Sequence, residues 1–103
     1  MIANTPEPPH YAVIFTTVVH EDLSGYEVMA KRMEFLAQQQ PGFLGIDSAR
    51  SEIGITVSYW KTLEAITAWK HHVEHIKAKT LGRKKWYKTY NLQISRVERA
   101  YKF

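Results

Sequence analysis

No cysteine occurs anywhere in the 103 residues, which excludes a disulfide framework, a thiolate metal site and a cysteine nucleophile. Long apolar runs are missing too, and nothing approaches the roughly 18 residues of a membrane span. The opening MIANTPEPPH has neither a basic segment nor an apolar core, so it does not read as a secretory signal. These absences predict a soluble, cytoplasmic protein with no membrane contact. The sequence also lacks a GxSxG nucleophile elbow and any Gly-rich phosphate loop, which argues against a serine hydrolase and against nucleotide cofactors. No cofactor is expected.

What is present is a chain long enough for one core. Hydrophobic residues at 45% and charged residues at 23% are ordinary globular values, so disorder is not expected. Three of the four prolines fall in residues 1–9, which reads as an extended arm before a single domain over 10–103. The net charge is +4, and Lys77, Lys79, Arg83, Lys84, Lys85 and Lys88 concentrate it in one short segment. Trp86 and Tyr87 lie within that run, the mixture a nucleic-acid surface would need. Cations gathered near a helix C-terminus are also what the helix dipole favours. A solvated helix end is therefore the expectation, and nucleic acid is not.

Along the chain, YAVIFTTVV from Tyr11 is rich in β-branched and aromatic residues and apolar on both faces, which predicts a central strand. Tyr26, Met29, Ala30, Met33, Leu36 and Ala37 form a helical stripe, with Asp22 or Ser24 as cap and Pro41-Gly42 as stop. Val28 and Phe35 fall off that stripe. FLGIDSAR (43–50) and IGITVSYW (53–60) read as two strands joined through Ser51 and Glu52. In the second strand Ile53, Ile55, Val57 and Tyr59 share one face; Gly54, Thr56, Ser58 and Trp60 share the other. Thr62 caps a further helical region carrying Ile66, Trp69, Val73 and Ile76, with Gly82 as its break. A last strand runs from about Asn91 to Tyr101. There Leu92 and Ile94 differ in parity from Val97 and Tyr101, as a bulge near Ser95 or a strand crossing to a partner would produce.

The order βαββαβ predicts an α+β, ferredoxin-like fold: a four-stranded antiparallel sheet with both helices on one face. The other face is too apolar for water alone. A second sheet packed against it would bury it, which predicts a homodimer of the dimeric α+β barrel kind.

The stretch ITVSYWKTLEAITAWKHHVEHIKAK carries a strand ending in Trp60, a cap at Thr62, Trp69 nine residues after Trp60, and His75 six further on. With PGFLGIDSAR and GRKKWYKTY around it, the chain after residue 10 resembles the antibiotic-biosynthesis-monooxygenase superfamily. One branch of that superfamily oxygenates polycyclic phenols such as anthrones without metal or flavin. The resemblance implies a monooxygenase acting on a small aromatic, quinol-like compound with dioxygen. The other branch binds and degrades haem, with an iron-ligating histidine ten residues after the tryptophan and an asparagine in the first strand. Here Lys79 stands at the first place and YAVIFTTVV lacks the second, so a haem-degrading monooxygenase is the runner-up. A non-catalytic dimeric module that binds a small hydrophobic ligand is the alternative of another class.

For the site, His75 is the candidate general base, since neutral imidazole suits removal of a phenolic proton. Its plainer role is a surface histidine bonded across an interface. Trp60 and Trp69 are candidate walls of an aromatic pocket, although Trp69 also lies on the apolar stripe. Thr56 and Ser58 would line the same cavity, and Tyr59 or Tyr87 would offer a hydroxyl to a quinone oxygen. His71, His72 and His75 have metal-binding helical spacing, but no third kind of ligand accompanies them and no metal site is assigned. An open cavity beside His75 would favour the enzyme. A packed interior around Trp69 would favour the binding module.

Overall fold

The computed structural model describes residues 2–103; Met1 of the arm and the Val73 side chain, placed on the second helical stripe above, lie outside the described part. The elements are β1 (His10–Val19), α1 (Tyr26–Gln38), β2 (Phe43–Arg50), β3 (Gly54–Trp60), α2 (Leu63–Lys70), α3 (Val73–Leu81) and β4 (Tyr87–Val97). The sheet order is β2-β3-β1-β4, every pairing is antiparallel, and the fold is α+β and ferredoxin-like. The strand apolar on both faces, β1, is central. None of the described helices is long and apolar enough to cross a membrane.

Pairing fixes which side chains share a face. Tyr11, Val13, Phe15 and Thr17 of β1 lie beside Trp60, Ser58, Thr56 and Gly54 of β3, and beside Arg96, Ile94, Leu92 and Tyr90 of β4. This is the helix side, because Trp60 stacks on Trp69 of α2 and Arg50 reaches Tyr26 of α1. The opposite face carries Ala12, Ile14, Val57, Tyr59 and Asp47. One end of that face is covered by the arm, where Ala3 N–H donates to Asp47 Oδ1 at 2.7 Å. Lys102 Nζ ties the arm to the C-terminal tail through Asn4 Oδ1.

The last strand runs Tyr87–Val97 and not from about Asn91 to Tyr101, and four further details depart from the sequence expectation. Neither Asp22 nor Ser24 caps α1: Asp22 Oδ1 is taken by Ser24 N–H and Oγ–H at 3.0 and 2.6 Å. Gly25, with φ 81°, holds the N-cap position instead, a left-handed turn that glycine adopts without strain. Second, the helical region after Thr62 is two helices. His72 is extended (φ −61°, ψ 132°), and its Nδ1 accepts Glu74 N–H at 3.2 Å, restarting the helix as an N-cap would. Third, Gly82 does not break α3, which continues through a π-helical turn over Gly82–Trp86. A Cβ at Gly82 would lie 2.9 Å from Tyr87 Cδ2, so this glycine makes room for a ring. Fourth, the bulge in β4 is at its start, where Val18 pairs Thr89 and Val19 pairs Tyr87; Ser95 pairs Ala12 in regular register. The extra residue is absorbed where the chain leaves the π turn. Val97, opposite His10, belongs to the other face by ordinary alternation.

The Thr62 cap forms as expected: its Oγ1 accepts Ala65 N–H at 3.0 Å, a bond worth about 1 kcal/mol in such positions. The buried apolar side chains are Trp60, Trp86, Leu36, Ala37, Ile66 and, on the opposite face of the sheet, Ala12; His10 and Thr17 are buried polar residues.

Candidate functional site

The break between α2 and α3 builds the most distinctive local geometry. In an unbroken helix, residues 69 and 75 would point about 120° apart at the usual 100° per residue. With the chain turned at His71 and His72, His75 comes back onto Trp69, ring centroids 4.5 Å apart and planes within 13°. Trp69 in turn stacks on Trp60 at 6.3 Å, and Trp60 meets Phe43 edge-on at 5.3 Å. Trp60, Trp69 and His75 are thus one column rising from the sheet through the helical layer.

The same turn fixes the proton on His75. Its Nδ1 lies 3.0 Å from the Trp69 carbonyl oxygen. A carbonyl only accepts, so Nδ1 carries the hydrogen and Nε2 keeps its lone pair. Burial is the main influence lowering the His75 pKa from its ordinary value; the carbonyl bond works against it, and the charges of Lys79 and His72 add to the lowering. A half-buried, neutral imidazole with Nε2 unprotonated is the state a general base requires.

The other proposed residues separate into groups. Ser58 Oγ accepts Trp60 Nε1–H at 2.9 Å, and Thr56 Oγ1 bonds Ser48 Oγ at 3.1 Å, so both hydroxyls have partners within the helix side of the sheet. Tyr59 lies on the opposite face, apart from the column. Its hydroxyl donates to Asp47 Oδ2 at 3.2 Å and its ring meets His10 edge-on, beneath the arm. Burial raises its pKa, and the Asp47 bond and charge add to that. Tyr87 is on the helix side but in a second cluster with Phe15, Tyr26 and Tyr90. Burial is again the main cause of its strongly raised pKa, helped by Tyr26 and opposed by the charge of Arg50. The three helix histidines do not converge: His71 Nδ1 sits against Thr67 O, His72 caps α3, and His75 faces Trp69.

Sequence reasoning gave no site role to Arg50, Thr17, Tyr26 or Tyr90: Tyr26 and Tyr90 pack on Tyr87, and Arg50 bonds Thr17 and Tyr26. It also passed over an apolar shelf on the helix side of edge strand β4. There Leu92 and Ile94 remain 49% and 50% exposed beside Phe15 and Val13, so the helices leave this strand uncovered.

The chain is 50% identical over 100 residues to the uncharacterized protein YqjZ of Bacillus subtilis (strain 168), an overlap of 95% of this chain and 88% of that protein. The chain belongs to the YqjZ family. No protein-family model matches it. SnoaB, a cofactor-independent oxygenase from Streptomyces nogalater, superposes with a TM-score of 0.77 at 14% identity, over 90% of this chain and 97% of SnoaB. A candidate antibiotic biosynthesis monooxygenase from Nitrosomonas europaea does so with a TM-score of 0.77 at 13% identity, over 94% and 95% of the two chains. This YqjZ-family chain shares its fold with both of these proteins.

Lys79, which the sequence resemblance sets where a haem-degrading enzyme would have its iron ligand, donates from its ammonium to Lys70 O at 3.3 Å. A cleft of about 500 Å³ lies between α1 and α3, lined by Gly25, Val28, Met29, Arg32, Glu74 and Lys77. It contains none of the column residues.

Proposed function

We propose that this YqjZ-family chain is a cofactor-independent monooxygenase that oxidises a small aromatic, quinol-like compound with dioxygen, and that it works as a cytoplasmic homodimer. The observation that carries this reading is the Trp69 O–His75 Nδ1 bond, which leaves Nε2 as the free base. Support also comes from the likeness in fold to SnoaB, a cofactor-independent oxygenase. In the proposed reaction Nε2 removes a proton from the substrate, and the resulting carbanion passes an electron to dioxygen. A C–O bond then forms and the peroxide loses water, so that a ring methylene and a dioxygen molecule give a ring carbonyl and a water molecule. Trp69 orients the base and Trp60 supports Trp69 from the core. Phe15, Leu92 and Ile94 supply an apolar seat on the same side of the sheet. Thr56, Ser58 and Tyr87 are the hydroxyls on that side, and Tyr59 serves to hold the arm.

Oxygen uptake with a panel of anthrones and quinols tests the reading, comparing wild type with His75→Gln. Uptake by wild type that is largely lost in the variant is expected. Equal turnover by both proteins would remove His75 from the mechanism.

The dimer rests on the second face of the sheet, where Ile14 and Val57 are half-buried and Ile55 is 40% exposed in one chain. Sedimentation velocity is expected to give a dimer for wild type and a monomer for Ile55→Asp, because a carboxylate there would be buried without a partner. A wild-type monomer at micromolar concentration would contradict the proposed assembly.

One observation favours a second reading. Trp60, stacked on Trp69, is only 1% exposed, which goes with the packed interior around Trp69 that would favour a non-catalytic small-ligand module, although Trp69 itself is half-buried. Saturable binding of panel compounds without any oxygen uptake would support that alternative. For the haem-degrading alternative a haem titration is the check, and Lys79 predicts no Soret shift.

A further inference from the structure

Arg50 ends β2 on the helix side of the sheet, among groups that fix it but do not neutralise it. Its Nη2 donates to Thr17 Oγ1 at 2.7 Å and to Tyr26 Oη at 3.2 Å. Its guanidinium carbon lies 5.5 Å from the centre of the Tyr26 ring. On the other side the guanidinium lies against Gly54, where a Cβ would collide with it. Gly54 is buried and Thr17 is 2% exposed, so one side of the group rests on a rigid floor. Both hydrogens of Nη2 are used, while those of Nη1 and Nε have no partner among the described residues. Neither ion pair found among those residues involves Arg50.

Around this cation stand aromatic walls. Tyr87 meets Tyr26 edge-on at 6.2 Å and Phe15 at 5.5 Å, and Tyr90 packs on Phe15 at 5.4 Å. Tyr87 is set by the π turn, a feature frequent at functional sites, and by the space that Gly82 leaves for its ring. Two glycines thus make room for the two side chains that define the cluster. Arg50 is itself exposed, so a ligand can reach it from solvent. The cluster sits at the Gly54 end of β3, about 20 Å along the strand from Trp60.

We propose that Arg50, with Tyr26, Tyr87 and Thr17, forms an anion-binding site for the carboxylate of a small aromatic acid. The free Nη1–H and Nε–H groups of a cation already held in place by Thr17 and Tyr26 can each donate a charge-assisted bond to a carboxylate oxygen, and the tyrosine and phenylalanine rings receive the attached aromatic group. The cation fits an anion and the walls fit a ring. The site shares Phe15 and Tyr87 with the proposed oxygenase seat, but it needs neither His75 nor a reaction, so its test is separate from that of the oxygenase reading.

The test is titration of the full chain with salicylate and, as the uncharged match, salicylamide, followed by NMR shifts and calorimetry. Saturable salicylate binding in the millimolar range or tighter is expected, with shifts at Arg50 Nε–H and the Tyr87 ring, and salicylamide at least about tenfold weaker. Arg50→Gln should lower salicylate affinity about tenfold or more. Arg50→Lys should also weaken it, because an ammonium keeps the charge without the planar group that Thr17 and Tyr26 hold in place. No saturation by about 20 mM salicylate, equal affinity for the amide, or undiminished binding by folded Arg50→Gln would each overturn the proposal. The salicylate–salicylamide comparison uses wild type alone, so it decides even if a variant fails to fold.

Discussion

Replacing Trp60 with alanine is expected to destabilise the protein by about 3–5 kcal/mol, the range for deleting a large buried aromatic. Trp60 is 1% exposed, meets Phe43 and Trp69, and donates its Nε1–H to Ser58. The substitution removes the floor of the column and leaves Ser58 Oγ without its donor. Small domains hold only about 5–15 kcal/mol in total, so such a loss brings the variant near the folding threshold. Urea unfolding monitored by far-UV circular dichroism measures it. Trp60→Phe retains a ring and is expected to lose less. A loss below about 1 kcal/mol for Trp60→Ala would mean that Trp60 is not part of a packed core.

The second large effect concerns His75. If its Nε2 is the base, His75→Gln is expected to slow turnover about 10²–10⁴-fold, because glutamine fills the space without accepting the proton. The pH dependence has a definite sign. Burial lowers the His75 pKa, with the charges of Lys79 and His72 acting the same way. The base is therefore unprotonated at and above the ordinary histidine value of about 6.5, and the rate falls only as pH drops through the lower folded value. Linkage gives stability the same direction. The folded state binds this proton less readily than the unfolded chain, so the contribution is fully present above about pH 6.5 and is lost as pH falls through the folded pKa. An NMR titration of the His75 ring is expected to show a midpoint below 6.5 and the Nδ1–H tautomer. A midpoint above 6.5, or a proton on Nε2 in the neutral form, would contradict this assignment.

The sheet and α1 were legible because their signals are periodic. β1 alternates between two apolar faces, and Tyr26, Met29, Met33, Leu36 and Ala37 keep a helical stripe that the structure follows to Gln38. The division of α2 from α3 was not legible. Ile66, Trp69, Val73 and Ile76 preserve helical spacing straight across it, and the residue that restarts the helix is a histidine, not a usual capping type. The sequence resemblance paired Trp69 with His75, but helical geometry would have pointed them apart, and only the turn at His72 brings the rings together. Arg50 was passed over for another reason: an arginine at a strand end before a turn reads as solvated. The signal available was Gly54 on the same sheet face, since a small residue beneath a long cation marks a place where it can lie flat. Strand parity had already placed Tyr59 away from Trp60 and Ser58, and the Asp47 bond explains what it does there.

The most direct measurement of the proposed function is incorporation of oxygen-18 from labelled dioxygen into product by chelator-treated, flavin-free protein supplied with an anthrone or quinol. The account predicts one labelled oxygen per product formed, one dioxygen consumed per turnover, and near-complete loss of both in His75→Gln. Unlabelled product, activity that disappears with the chelator, or equal labelling by the variant would contradict it.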